Sequence, residues 1–191
     1  MSETVLYGIK QGKKTLFIDE FFNSHGFGDV IWNVYFKHYL NIDMSNLSIS
    51  CFSDEYENMY ERLWKSYRDP AMPMAHKAVL WATYDYSVIV QDKIDLFIEH
   101  LDQWQKDFGE EISEYVNHVP NISESLKKNR KIISKFDAIG IQTTNMVSNQ
   151  YDVTWNPNGR KPVKASQLKN MYKILENMIE EQEKERKEKD S

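Results

Sequence analysis

A chain of 191 residues with 41% hydrophobic and 13% aromatic side chains can fill the core of one ordinary domain, which excludes a wholly disordered protein. Its mean hydropathy of −0.65, together with the lack of any apolar run near the ~20 residues of a helical span, excludes an integral membrane protein. The formal net charge of −5 opposes contact with phosphate backbones, and a single cysteine, Cys51, excludes an internal disulfide framework and a multi-cysteine metal site.

The first third of the chain predicts a hairpin, two helices and a strand. The β-rich runs Val5–Ile9 and Thr15–Ile18 predict an opening hairpin, because a glycine and polar residues separate them. A turn cluster then leads into a helix from Asp29 to Leu40. The alternating run Leu47–Phe52 predicts a strand, and apolar residues at three- and four-residue steps predict a helix over Tyr56–Tyr67.

The middle of the chain predicts two further strands and two further helices. The uninterrupted apolar run Ala78–Tyr84 predicts a central strand covered on both faces, with a helix as the alternative. Asp92–Phe108 predicts a helix with one apolar face and one acidic face, which ends at Gly109. Pro120–Ser134 predicts a weaker helix, and Ala138–Thr144 predicts the other strand.

The last part of the chain predicts one helix and a charged end. Tyr151–Trp155 is expected to pair with the preceding strand, and apolar residues on one stripe predict a helix from about Ala165 to Ile179. Residues 181–191 are charged or polar, which predicts a frayed tail after a single globular domain over residues 1–180. The alternative for this tail is a solvent-exposed helix held by Glu–Lys pairs.

The order of these segments indicates the fold class. Helices and strands alternate irregularly after an opening hairpin, which favours mixed layers over a regular doubly wound sheet. The sequence therefore predicts an α/β or α+β fold. We expect a single mixed sheet of about 4–6 strands, covered by about five helices.

Charge is divided unevenly along the chain. Residues 1–120 hold 19 acidic and 10 basic side chains, whereas residues 121–191 hold 10 acidic and 14 basic ones. The acidic groups are densest from Asp85 to Glu114, and basic groups gather over 127–135. Two interpretations stay open. Either the two regions face each other or are simply solvated, or one of them is a docking surface for a charged partner.

The sequence contains no recognisable catalytic or metal-binding motif. Its five histidines are too far apart for a helical metal pair, and neither a P-loop nor a Gly-x-Ser-x-Gly elbow is present. We therefore predict no metal and no cofactor. If the chain is an enzyme, we expect a hydrolase or transferase whose site is assembled in space from His25, Asp29 and Asp85.

The candidate binding groups are the acidic residues of the predicted 92–108 helix and aromatic residues that lie off the helical stripes. Tyr and Trp are common at protein interfaces, and exposed charges steer association. These candidates are Asp92, Asp95, Glu99, Asp102, Phe27, Tyr39, Tyr151 and Trp155.

The function favoured by this pattern is protein binding rather than catalysis. We expect a small cytoplasmic module, an inhibitor or immunity-type antidote, that acts by contact with another protein. The polar start Met1–Thr4 predicts no signal peptide. No membrane partner is expected and nucleic acid is disfavoured, because the acidic excess opposes phosphate. A monomer is favoured over a homodimer formed through the last helix or through an exposed strand edge.

Overall fold

The computed structural model describes seven stretches of the chain, which form an α+β fold with one mixed five-stranded sheet and seven α-helices. The fold class predicted from the sequence is confirmed, although the helices outnumber the expected count of about five. The described residues are 3–10, 15–22, 27–44, 54–84, 87–114, 116–142 and 168–189.

The sheet runs in the order β2-β1-β4-β3-β5. Neighbouring strands are antiparallel except for β3 and β5, which are parallel. The described sheet therefore has β2 at one edge and places β1, β4 and β3 between other strands. The strands are β1 (Glu3–Ile9), β2 (Leu16–Phe22), β3 (Ser87–Val90), β4 (Ala138–Gln142) and β5 (Lys169–Asn170).

The seven helices bury their apolar residues in one large cluster with side chains from β1, β3 and β4. A smaller cluster on the second face of the sheet contains Ile9, Val88 and Ala138, with Tyr7 and Leu168 packed against it. The helices are α1 (Gly28–Leu40), α2 (Asp54–Ser66), α3 (Met74–Ala82), α4 (Ile94–Phe108), α5 (Val119–Lys128), α6 (Arg130–Ile133) and α7 (Met171–Lys189).

The opening hairpin is confirmed, and its register contains one irregularity. Strands β1 and β2 pair antiparallel, with Gly8 opposite Leu16. The register shifts between Leu6 and Tyr7, so β2 has one extra residue, Ile18, at this bulge. The turn at 11–14 lies outside the described residues.

The amphipathic pattern predicted for the acidic helix matches α4 in full. A 3₁₀ turn over Gln91–Lys93 precedes the helix, and Gly109 follows its last residue. The buried positions recur at three- and four-residue steps, as expected for a helix with one face against a core. They are Ile94, Phe97, Ile98, Leu101, Trp104 and Phe108.

The strand predicted over Ala78–Tyr84 is wrong, because this segment forms the end of helix α3 and the turn that follows it. Eight of its nine residues are buried, so α3 has no polar face and its sequence shows no helical period. Good helix formers such as alanine and leucine favour the helix that was the stated alternative. The strand of this region begins later, at Ser87.

Two other segments differ from the predictions. The helix expected over Pro120–Ser134 is divided at Asn129 into α5 and α6. Helix α7 continues over residues 181–189, where a frayed tail was predicted. Glutamates four residues before lysines favour this continuation, and Gln182 donates a hydrogen bond to the backbone oxygen of Arg68.

Three expectations of the sequence stay untested. The strands predicted at Leu47–Phe52 and Tyr151–Trp155 lie outside the described residues, and so does Cys51. The expectation of one globular domain over residues 1–180 also stays a prediction.

Gly8 is required by its close approach to Phe136. A Cβ atom at Gly8 would lie 2.5 Å from the Phe136 ring, and the backbone of Gly8 is held between β2 and β4. We expect Gly8→Ala to lower the free energy of unfolding by about 1–3 kcal/mol, because neither side can easily move. Urea denaturation measures this loss. The double variant with Phe136→Leu should recover part of it, whereas wild-type stability of Gly8→Ala would contradict the prediction.

Candidate functional site

The acidic face of α4 is partly neutralised by basic residues of α5 and α6. Arg130 donates a hydrogen bond to Asp95 at 2.5 Å. Asp102 accepts one from Lys127 at 2.7 Å and another from the hydroxyl of Ser123 at 2.5 Å. Burial alone would raise the pKa of Asp102, but these two hydrogen bonds hold it below its ordinary value. The acidic and basic regions of the sequence thus face each other at these pairs.

The other two acidic candidates, Asp92 and Glu99, are exposed. Asp92 precedes α4 beside Lys93. Burial raises the pKa of the Tyr172 phenol, and the nearby charge of Glu99 adds to this. All four predicted acidic groups are exposed, and they divide into two that are ion-paired and two that form no ion pair within the described residues. This reduces the negative charge that α4 offers to a partner.

We expect Asp95→Lys to lower the free energy of unfolding by about 1 kcal/mol, because it replaces an ion pair with repulsion against Arg130. The effect is small since 71% of the Asp95 side chain is exposed. Asp92→Lys is the matched control, with the same charge change in a first helical turn but no ion pair to lose within the described residues, and should cost less stability. Guanidinium titration of both variants measures the difference. Equal losses in the two variants would contradict the pairing.

The network around His76 joins three helices. His76 lies on α3 with its side chain buried, and its Nε2 is 2.8 Å from Oδ2 of Asp107 on α4. Its Nδ1 is 2.5 Å from the hydroxyl of Tyr39 on α1. The Asp107 carboxylate can only accept, so Nε2 carries the proton and Nδ1 accepts from Tyr39. The order hydroxyl–imidazole–carboxylate is that of a catalytic triad.

Burial sets the protonation states in this network. Burial lowers the pKa of His76, partly offset by Asp107, so the ring is neutral near pH 7. Burial raises the pKa of Tyr39 to about 12, and the charges of Asp107 and Asp69 add to this. At neutral pH the Tyr39 hydroxyl therefore keeps its proton and donates a hydrogen bond to His76. The three side chains link α1, α3 and α4 by hydrogen bonds.

The described cavities do not open onto this network. A cavity of about 410 Å³ lies between α1 and the segment that follows α4. Its charged walls include Lys37 and Glu111, which form an ion pair with each other, and His38 also bonds to Glu111 at 2.6 Å. The lysine and glutamate charges are thus satisfied by the protein itself.

The predicted catalytic residues are only partly described. Asp29 lies in the first turn of α1 and is half-buried. His25 and Asp85 lie outside the described residues, so the structure does not test whether the three converge. The enzyme alternative stays a prediction.

The aromatic candidates fall into three groups. Phe27 was expected on a binding surface, but it is completely buried at the start of α1, where its large apolar side chain fills the core. Tyr39 is half-buried and bonded to His76. Tyr151 and Trp155 lie outside the described residues.

The exposed large apolar side chains are found mainly on β2. In the part of the chain that the structure describes they are Leu16, Phe17 and Phe22 on this strand and Ile132 on α6. Phe17 is 51% exposed and Phe22 is 66% exposed. Large aromatic side chains usually lie inside proteins or at interfaces, so this strand marks a candidate binding surface.

Two side chains of β2, Asp19 and Phe21, show which way the strand faces. Ser125 of α5 donates a hydrogen bond to Asp19 at 2.6 Å, and Phe21 packs against the helical core. Successive side chains of a strand point to opposite faces. Glu20 and Phe22 therefore point away from α5.

Phe17 lies on the same side, beyond the bulge. It is opposite Tyr7, which belongs to the apolar cluster on the second face of the sheet, while Leu6 belongs to the helical core. Phe17, Glu20 and Phe22 thus share the sheet face opposite α5, and we call them the β2 aromatic face. Sequence analysis missed it because the position of β2 at the edge depends on strand order.

The edge of β2 is less open to strand pairing than its position suggests. The side chain of Asp19 accepts a hydrogen bond from the backbone N–H of Glu20 at 3.0 Å. A charged residue that occupies a backbone donor protects an edge strand against addition of another strand. Side chains rather than the strand backbone are therefore the feature that β2 offers to a partner.

Comparisons with protein-family models, with curated proteins and with solved structures found no match to this chain. Within the described stretches, no helix has both the length and the apolar character that a membrane crossing requires. The same stretches hold no group of three or more His, Cys, Asp or Glu side chains arranged as metal ligands.

Proposed function

We propose that the protein works by binding another protein, as an inhibitor or immunity-type antidote does, and that the β2 aromatic face makes the contact. The observation that carries the proposal is the exposure of Phe17 and Phe22 on an edge strand, at 51% and 66%. Aromatic side chains dominate binding energy at protein interfaces because they bury a large area at little entropic cost. The single cysteine, Cys51, suits a cytoplasmic setting.

Glu20 defines the chemistry expected of the partner. It lies on the same side of β2 as the two phenylalanines, within a protein of net charge −5. A complementary surface would place an apolar pocket against each ring and a lysine or arginine against the carboxylate. The partner is therefore a basic protein surface with apolar pockets.

A second copy of the chain fits this surface less well. In a two-fold dimer through the same face, residues near the axis meet their own counterparts. The carboxylates of Glu20 would then approach each other, and facing like charges are destabilising. This favours a heteromeric complex over a homodimer.

Site-specific photo-crosslinking in cells of the source organism tests the proposal. A benzoyl-phenylalanine introduced at Phe17 or at Phe22 should yield the same heteromeric adduct, identified by mass spectrometry. The matched control is the same probe at Lys173, an exposed position of α7. Phe17→Ser and Phe22→Ser should each weaken the purified complex by about tenfold or more, because loss of an interface anchor costs at least this much.

Three outcomes would overturn the proposal. An adduct of twice the chain mass would identify a second copy as the occupant. The same adduct from Lys173 would show that the capture is not specific to β2. Full affinity in both serine variants would show that the partner binds elsewhere.

A further inference from the structure

The basic residues of α5 and α6 divide into two rows. Lys127 and Arg130 face α4, where they pair with Asp102 and Asp95 at 2.7 and 2.5 Å. Backbone hydrogen bonds continue across the break between α5 and α6. The N–H of Asn129 donates to the carbonyl of Ser125 in α5, and the carbonyl of Asn129 accepts from N–H groups of α6. Residues three and four positions apart therefore share a face through the whole segment.

The second row lies on the outer side of this segment. Lys128, Lys131 and Lys135 are exposed, and none of them forms an ion pair with any residue in the described ranges. Lys10 joins the row from the end of β1, because its ammonium group donates to the backbone oxygen of Lys135 at 3.3 Å. Ile132, 43% exposed, lies among these side chains. We call the four lysines and Ile132 the lysine row.

The charges of the lysine row are not neutralised by ion pairs within the described residues. Lys128 and Lys131 lie in the last turns of α5 and α6, where a positive charge is favourable beside the helix C-terminus. The described acidic residues of α4 pair with the inner row instead. The outer ammonium groups are therefore available to an acidic partner.

We propose that the lysine row binds an acidic segment of another protein. Lys128 and Lys135 are seven residues apart, which corresponds to about 10 Å along a helix. Two turns of an acidic helix have carboxylates at matching intervals. Ile132 adds an apolar contact within the charged row, as in interfaces where charges surround an apolar centre.

Other anionic partners fit the row less well. A nucleic acid contacts a longer series of cations and stacks bases on aromatic rings, and the row contains no aromatic side chain. An anionic membrane attracts a wide basic plane, whereas the protein as a whole has a net charge of −5. A short acidic protein segment matches both the length and the composition of the row.

This surface is separate from the β2 aromatic face. The lysine row belongs to the α5–α6 segment, which packs on the side of the sheet where Ser125 bonds to Asp19. The aromatic face points to the other side and calls for a basic partner. The present inference therefore goes beyond the proposed function, and either can fail without the other.

Fluorescence anisotropy with a labelled peptide of Glu-Glu-Leu-Ala repeats tests the inference on the full chain. The charge-reversal variant Lys131→Glu with Lys135→Glu should weaken peptide binding by about tenfold and flatten its dependence on salt. Lys131→Gln with Lys135→Gln should give a smaller loss in the same direction. The matched control reverses Lys106 and Lys173, exposed lysines of α4 and α7, and should bind like the wild type.

Several results would overturn the inference. A matched peptide with glutamine in place of glutamate should not bind, and equal affinity for it would exclude charge recognition. An equal loss of peptide affinity in the control variant would show that the net charge of the protein, rather than the lysine row, determines binding. Lysine-dependent binding of a single-stranded oligonucleotide or of phosphatidylserine vesicles, with no binding of the acidic peptide, would assign the row to another partner class. Circular dichroism and the unfolding midpoint establish that each variant is folded.

Discussion

His76→Ala is expected to lower the free energy of unfolding by about 3–5 kcal/mol, more than any other single change considered above. His76 is 5% exposed, and its ring packs 4.7 Å from the ring of Phe108. Truncation leaves a cavity where α1, α3 and α4 meet. It also removes the acceptor of the Tyr39 hydroxyl and the donor to Asp107. Both the cavity and the lost hydrogen bonds destabilise the folded state.

Urea denaturation of single and double variants separates these contributions. Tyr39→Phe removes one hydrogen bond while keeping the ring, so it should cost about 1 kcal/mol. In the His76→Ala background the same change should cost much less, because its partner is already gone. A loss below about 1 kcal/mol for His76→Ala, or fully additive losses in the double variant, would contradict the network.

Acidification is expected to destabilise the protein between about pH 6.5 and pH 4, with His100 as a main contributor. Burial lowers the pKa of His100 from 6.5 to about 4, and burial also lowers the pKa of His76 and His118. An unfolded chain binds protons at these groups near pH 6.5, before the folded chain does. Stability is therefore complete above that pH and is lost as the pH falls toward 4.

His100→Asn isolates the contribution of this residue. In the folded protein Nδ1 of His100 is 2.8 Å from the hydroxyl of Tyr172, and an asparagine oxygen can accept the same hydrogen bond without titrating. The pH-dependent loss between pH 7 and 4 should shrink by about 1–2 kcal/mol, less than the full linkage value because the ring is partly exposed. Parallel denaturation curves at both pH values provide the measurement. If the free energy of unfolding of His100→Asn depended on pH as in the wild type, the neutral state of the His100 ring would be contradicted.

The helices that cover one face of a core were predictable, whereas the helix inside the core was not. In α4, Phe97, Leu101 and Trp104 recur with the helical period because the opposite face meets water. In α3 nearly every residue is buried, so no period distinguishes it from a central strand. The wrong secondary structure for Ala78–Tyr84 follows from burial on all sides.

The candidate binding surfaces were likewise only partly predictable from the sequence. The sequence revealed an acidic and a basic region but left open whether they face each other. The pairs of Asp95 with Arg130 and of Asp102 with Lys127 show that part of each region meets the other. The acidic helix, one of the candidate partner surfaces, thereby has fewer unpaired charges than the sequence alone indicated. Phe27 is likewise a core residue. The sequence did not show this, because whether its side chain is buried depends on long-range packing.

The sequence by itself narrowed the class to α/β or α+β and determined the hairpin and the one-sided helices, since these follow from local periodicity and from turn residues. Only the tertiary structure decided that β2 lies at the edge and exposes Phe17 and Phe22. It also brought Tyr39, His76 and Asp107 together from three helices. The physical reason is that exposure and hydrogen bonding between distant residues depend on which elements pack together, and packing is a property of the whole chain rather than of any local segment.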